Sequence, residues 1–173
     1  MKLLIITLLL AQAVQMYPIQ ATATQPPTEP KATTKRGQLV LNCGKKQSLF
    51  FNAHWEGAKM LEDKYNIPMA LSLIQWGLES GWGTSYIAIH KFNFGGIRIN
   101  HDYVCFDSKE DFYFAYSRTM NQECYQRIDR TNLEAWLKAV QWSECRYAKS
   151  PKYKDKLTQL IKQYKLDRLC PTN

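Results

Sequence analysis

The hydrophobic pattern is helical along most of the chain from residue 47 onwards, with one short interruption of strand-like alternation. From Gln47 to Tyr65, the residues Phe50, Ala53, His54, Gly57, Ala58, Leu61 and Tyr65 recur at helical spacing and predict an amphipathic helix. Asn66-Ile67-Pro68 breaks it, and Pro68 suits the first turn of a second helix over 67–78. That helix is apolar nearly all round, which predicts the central buried element, and Gly81 is its natural stop. Thr84 to Ile89 predicts a short helix, and Asn93-Phe94-Gly95-Gly96-Ile97 a glycine-rich loop. Arg98 to Phe106 has the alternation and turn residues of a small hairpin. Three more helices carry start signals: Ser108 before 109–120, a Thr131-Asn132-Leu133-Glu134 capping box before 132–142, and Ser150-Pro151 before 152–164. In the last, Tyr153, Leu157, Leu160, Ile161 and Tyr164 form the apolar stripe. The expected fold class is therefore mainly α (α+β), a helical domain with a small β-hairpin lobe.

The first residues do not belong to this pattern. Met1-Lys2 is a basic start, and Leu3 to Leu10 is a continuous apolar run followed by two small-x-small sites, Ala11-Gln12-Ala13 and Ala21-Thr22-Ala23. Residues 1–23 read as a secretory signal peptide, with an uncleaved anchor as the alternative. Residues 24–42 are rich in Thr, Pro and Gln and read as a flexible linker. One domain is expected over 43–170, periplasmic or secreted, with no stable membrane span after signal cleavage. The five cysteines are 43, 105, 124, 145 and 170. Export makes disulfides the default, and the odd count leaves at least one thiol free or intermolecular. The first pairing expected is Cys43–Cys170, because these two flank the domain and domain termini often lie close together. The formal charge is +8, concentrated late in the chain. This favours an anionic polymer or surface as partner. Nucleic acid is not expected, since neither zinc-finger spacing nor an RNP-like signature occurs. No metal or cofactor is expected, because the cysteines and the three histidines show no ligand spacing.

The candidate chemistry sits in Leu78-Glu79-Ser80-Gly81-Trp82-Gly83. Glu79 falls in the last turn of the central helix, where the helix dipole disfavours a second negative charge. Trp76 and Trp82 are expected to give apolar cover, which also favours the neutral acid. A carboxyl kept protonated near neutral pH is what protonation of a leaving-group oxygen requires.

Three motifs together resemble the bacterial endo-β-N-acetylglucosaminidase family, glycoside hydrolase family 73, which includes the flagellar peptidoglycan hydrolases. They are Leu78 to Gly83, Asn93-Phe94-Gly95-Gly96-Ile97, and Arg146-Tyr147-Ala148-Lys149-Ser150-Pro151-Lys152-Tyr153 with Lys156-Leu157 and Ile161. The resemblance covers roughly 50–166. It implies a lysozyme-like fold and a monomeric hydrolase cleaving peptidoglycan glycan strands after N-acetylglucosamine. It also implies Glu79 as the catalytic acid, Tyr147 as a tyrosine facing the reacting sugar, and Trp82, Asn93, Phe94 and Gly96 as substrate-binding positions. Two departures stand out. Gly95 replaces the family's usual Phe, which predicts a more pliable loop. The hairpin segment lacks the second glutamate that many relatives place there. Asp102 is the only carboxylate in that segment, a candidate second catalytic group or simply a turn residue. The alternatives left open are a lytic transglycosylase or a muramidase acting on the same polymer, and a non-catalytic glycan-binding module.

Overall fold

The computed structural model describes residues 44–169. The expected signal peptide, the linker and the Cys43–Cys170 pairing lie outside the described residues. The element order is α1 (Lys45–Tyr65), α2 (Met69–Glu79), α3 (Tyr86–Lys91), β1 (Arg98–Ile99), β2 (Asp102–Tyr103), α4 (Lys109–Thr119), α5 (Glu123–Gln126), α6 (Leu133–Trp142) and α7 (Tyr153–Gln163), closed by a 3₁₀ turn over Leu166–Leu169. No described helix is long and apolar enough to cross a membrane.

The apolar run of α2 is the centre of the domain. Every residue from Met69 to Gly77 is buried, and the helix packs against α1, α6 and α7. Pro68 caps it rather than entering its first turn. An aromatic cluster joins α2 to α1 and α4. Trp76 stacks on Tyr113 at 5.0 Å and meets Phe112 and Tyr116 edge-on at 5.3 and 5.2 Å. Such pairs add about 0.5–1.5 kcal/mol each beyond the area they bury.

The strands are only two residues long, in antiparallel register with Arg98 opposite Tyr103 and Ile99 opposite Asp102. Asn100 and His101 both have positive φ, 50° and 74°, as a twist-matched two-residue hairpin turn requires. Ser108 caps α4 by accepting from the Asp111 amide. At α6 the expected capping box does not form. Asn132 is the cap, accepting from Glu134 and Ala135 amides, because Thr131 is taken up by Asp129 and Glu134 pairs with Lys154. Helix α5 has no periodic signal of its own, being four residues long. It carries Cys124, which forms a disulfide to Cys145 with Cα atoms 6.1 Å apart. The two cysteines are 21 positions apart in sequence, and closing a loop of that length contributes roughly 3 kcal/mol in the chain-entropy model.

His54 is buried on α1 and hydrogen-bonded through Nδ1 to the Tyr113 hydroxyl at 2.8 Å. Burial, helped by the nearby Lys109 charge, lowers its pKa to about 4. Between pH 6.5 and 4 the unfolded chain therefore takes up a proton that the native state refuses, so this contribution is present above pH 6.5 and lost as pH falls. The thermal midpoint should drop across that window, by on the order of 3 kcal/mol of stability at full extent, and His54→Gln should flatten the drop. An unchanged pH dependence in the variant, measured by circular dichroism, would contradict the assignment.

Candidate active site

The end of α2 is shaped by its own sequence. Gly81, Trp82 and Gly83 take φ values of 58°, 61° and 78°, a left-handed run that two glycines make accessible. Ser80 fastens it: its hydroxyl donates to the Trp76 carbonyl at 2.5 Å and accepts from the Gly83 amide at 2.8 Å. The Trp82 indole then folds back onto Gly77, where a Cβ would stand 2.4 Å from the ring. It is held against Phe50, Phe51 and Tyr164 at 5.9, 5.6 and 5.3 Å. Trp82 thus anchors the turn that leaves Glu79 at the helix end. Trp76 is wholly buried in the aromatic cluster. The indole cover expected for Glu79 is therefore engaged elsewhere.

The Asn93–Ile97 loop forms a second wall. Asn93 is fully buried. Its Nδ2 donates to the Ile97 and Val104 carbonyls at 2.8 and 2.9 Å, and its Oδ1 accepts from the Ile97 amide at 2.9 Å. Asn93 ties the loop to the hairpin. Phe94 is buried, against His54 and Phe112 at 4.3 and 5.4 Å. A Cβ at Gly96 would lie 3.7 Å from Glu79 Oε2, so this glycine borders the carboxyl directly. A Cβ at Gly95 would meet the Tyr147 hydroxyl at 2.6 Å and Phe112 at 3.2 Å. The small residue makes room for Tyr147, whose hydroxyl donates to the Gly95 carbonyl at 2.5 Å. The loop is clamped here, where the sequence suggested pliability.

The third wall comes from α7 and the segment before it. Tyr147 and Tyr153 lie parallel, 6.4 Å apart with 8° between planes. The Tyr153 hydroxyl donates to Glu79 Oε1 at 2.9 Å and accepts from Gln75 Nε2 at 3.2 Å. Gln75 Oε1 in turn accepts from the Tyr116 hydroxyl at 2.5 Å. Gln75 and Tyr116 are fully buried. The chain runs one way, from Tyr116 through Gln75 and Tyr153 to Glu79. The cleft beside Glu79 is about 560 Å³, lined by Leu78, Ala148, Ser150, Tyr153, Lys156 and Gln159 among others. Burial pushes the Glu79 carboxyl above its ordinary range, partly offset by the Tyr153 hydrogen bond and the Lys156 charge. Burial also drives Tyr116, Tyr147 and Tyr153 upward, so all three stay protonated donors.

This fold and cleft have known counterparts. The family model described as mannosyl-glycoprotein endo-beta-N-acetylglucosaminidase matches residues 55–166. The chain belongs to this glucosaminidase family. It is a glycoside hydrolase of lysozyme-like fold. Among solved structures, the catalytic domain of the autolysin Auto from Listeria monocytogenes is similar at 22% identity and a TM-score of 0.61, over 75% of this chain and 90% of that one. A peptidoglycan hydrolase from Sphingomonas sp. A1 is similar at 25% identity and a TM-score of 0.59, over 69% and 90%. A search of curated protein sequences returned no match.

Of the residues singled out in the sequence, the fold brings Glu79, Gly96 and Tyr147 together around one wall. It sets Trp82, Asn93 and Phe94 behind that wall as its supports. Asp102 stands exposed in β2. The fold also links Tyr153, and Gln75 through it, by hydrogen bonds to Glu79. Gln75 had a signal, being a polar residue in an apolar helix one turn before Glu79 and so on the same face. Tyr153 lay within a family motif but read as part of an apolar stripe.

Because the Tyr153 hydrogen bond favours the carboxylate, Tyr153→Phe should raise the Glu79 pKa further above that in the unmodified protein. A ¹³C-detected carboxyl titration reads this directly. A lower or unchanged value would contradict the geometry.

Proposed function

We propose that the protein is an exported peptidoglycan hydrolase that cleaves the glycan strand after N-acetylglucosamine, with Glu79 as general acid. The observation that carries the reading is the half-buried Glu79 carboxyl, held by Tyr153 at one oxygen and bordered by Gly96 at the other. Support also comes from the names of the similar structures, an autolysin and a peptidoglycan hydrolase. The basic, then apolar, then small-residue start fits export to a periplasmic or secreted location.

The hydrogen-bond direction assigns the proton. Oε1 accepts from Tyr153, so the acidic proton rides on Oε2, the oxygen beside Gly96. From there it passes to the glycosidic oxygen as the bond to the anomeric carbon breaks. The usual two-carboxylate scheme needs a partner about 5–5.5 Å away for retention or about 6.5–9.5 Å for inversion. Asp102 sits exposed on the hairpin, and Asp155, the other carboxylate in the lining of the Glu79 cleft, is exposed in the first turn of α7; the second role is therefore given to the substrate. The 2-acetamido oxygen attacks the anomeric carbon and closes a cyclic intermediate, one of the recognised exceptions. Water then opens it, its proton returning to the Glu79 carboxylate. Tyr147 acts as a positioning residue here, since its hydroxyl proton is spent on the Gly95 carbonyl and holds the Gly95–Gly96 wall.

Glu79→Gln should lower glycan cleavage by about 10²–10⁴-fold. It should keep or raise the thermal midpoint at pH 7, because a carboxylate is costlier to desolvate than an amide. Activity within threefold of the unmodified enzyme, measured by reducing-end release, would overturn the acid assignment. In the same assay Asp102→Asn should retain substantial activity and Tyr147→Phe should lose most of it. A loss from Asp102→Asn as deep as that from Glu79→Gln would restore a two-carboxylate mechanism. Mass spectrometry should find N-acetylglucosamine at the new reducing ends; 1,6-anhydro ends would show a transglycosylase instead.

A further inference from the structure

A second depression begins at the Gly95–Gly96 wall and runs along the hairpin. Its first part, about 460 Å³, has Gly95, Gly96, Arg98, Gln122, Arg146 and Tyr147 in its lining. Its second part, about 370 Å³, shares Ile97, Arg98, Thr119 and Gln122 with the first and adds Arg118, over an apolar floor that includes Val104 and Phe106. The two depressions adjoin along these four residues and are treated together as one groove. Gly96 borders both this groove and the Glu79 carboxyl, so the groove abuts the proposed sugar cleft.

Among the described residues the lining carries three arginines and no carboxylate. They come from three separate elements: Arg98 from β1, Arg118 from α4, and Arg146 from the segment between α6 and α7. Two are pre-set. The Arg98 guanidinium lies 4.0 Å over the Tyr103 ring and donates to the Tyr103 hydroxyl. Arg146 is flanked by Cys145, fixed by the disulfide to Cys124 and by the Tyr125 hydroxyl on its carbonyl, and by Tyr147, whose amide donates to the Val140 carbonyl. Concentrating three guanidinium groups without a counter-charge costs mutual repulsion, which an anionic ligand would relieve. A guanidinium fork matches a carboxylate bidentately. Gln122 offers an amide to a peptide backbone, the Thr119 hydroxyl, which donates to the Ala115 carbonyl, offers an acceptor, and the apolar floor suits small side chains.

We propose that this groove binds the carboxylate-bearing peptide branches that hang from alternate sugars of the glycan strand. The assignment rests on the peptidoglycan reading of the Glu79 cleft. A branch on a sugar neighbouring the scissile bond would enter the groove over Gly96, so the enzyme would select peptide-bearing strands over bare ones.

The test compares kcat/KM on peptide-bearing strands with that on the same strands stripped of peptide by an amidase. The unmodified enzyme should favour peptide-bearing strands by about tenfold or more, the scale of one or two charge-assisted hydrogen bonds. The pair Arg98→Gln with Arg146→Gln should bring the ratio of the two values towards one, chiefly through KM. Should that pair fail to fold, the exposed Arg118→Gln should lower the same ratio in part. A ratio near one in the unmodified enzyme, or a high ratio kept in the variants, would overturn the proposal, and so would equal losses on both strands. If the unmodified protein cuts neither strand, the hydrolase reading falls. The groove is then judged by calorimetric titration with a soluble acidic stem peptide, which should bind at least tenfold more weakly to the arginine variants; no binding to the unmodified protein overturns it.

Discussion

The chain of hydrogen bonds from Tyr116 through Gln75 and Tyr153 to Glu79 is the constraint on which the site depends. Gln75 is a primary amide sealed inside an apolar helix. Left unpaired there, each end of the amide would cost about 1–3 kcal/mol. Its oxygen is met by a tyrosine from α4 and its nitrogen by a tyrosine from α7. Satisfying one side chain thus fixes three helices in register, and the last donor in the series lands on Glu79 Oε1. With Oε1 accepting from Tyr153, Oε2 is the oxygen that the proposal uses for the acidic proton. The proposed chemistry follows from the way a buried polar group is satisfied.

Opposing effects act on the same carboxyl. Desolvation and the helix terminus disfavour its charge, while Tyr153 and Lys156 favour it. Burial outweighs them, so the pKa of the carboxyl is raised above its ordinary value. A proton donor that must later take back a proton from water needs this balance. The left-handed turn at Gly81-Trp82-Gly83 keeps Glu79 at the helix end, and the Asn93 ties keep Gly96 against it.

Much of this was legible in the sequence. Helices α1, α2, α4, α6 and α7 follow from apolar periodicity and cap residues within a few positions, and the hairpin from its alternation. Glu79 was visible as a carboxyl between an apolar run and a glycine stop. What stayed hidden depends on tertiary partners. Trp82 and Trp76 were equally good candidates for covering Glu79 until the fold turned one onto Gly77 and the other into the α1–α4 cluster. Gly95 looked like a source of pliability because its neighbour in space, Tyr147, lies 52 residues away. Tyr153 obeyed the apolar stripe of α7 with its ring while its hydroxyl served the site, a double role that periodicity cannot separate. Helix α5 was too short to carry a pattern, and the Cys124–Cys145 pairing depends on where that helix docks.

The central claim is that Glu79, tuned by Tyr153, gives the proton that breaks the glycosidic bond. The pH dependence of kcat/KM on soluble glycan strands tests it most directly. A general acid must be protonated, so activity should fall as pH rises through the Glu79 pKa, with that limb above the ordinary glutamate range. Removing the Tyr153 hydroxyl withdraws support from the carboxylate, so the limb should move to higher pH in the Tyr153→Phe enzyme. A limb that stays in place or moves to lower pH would contradict the account.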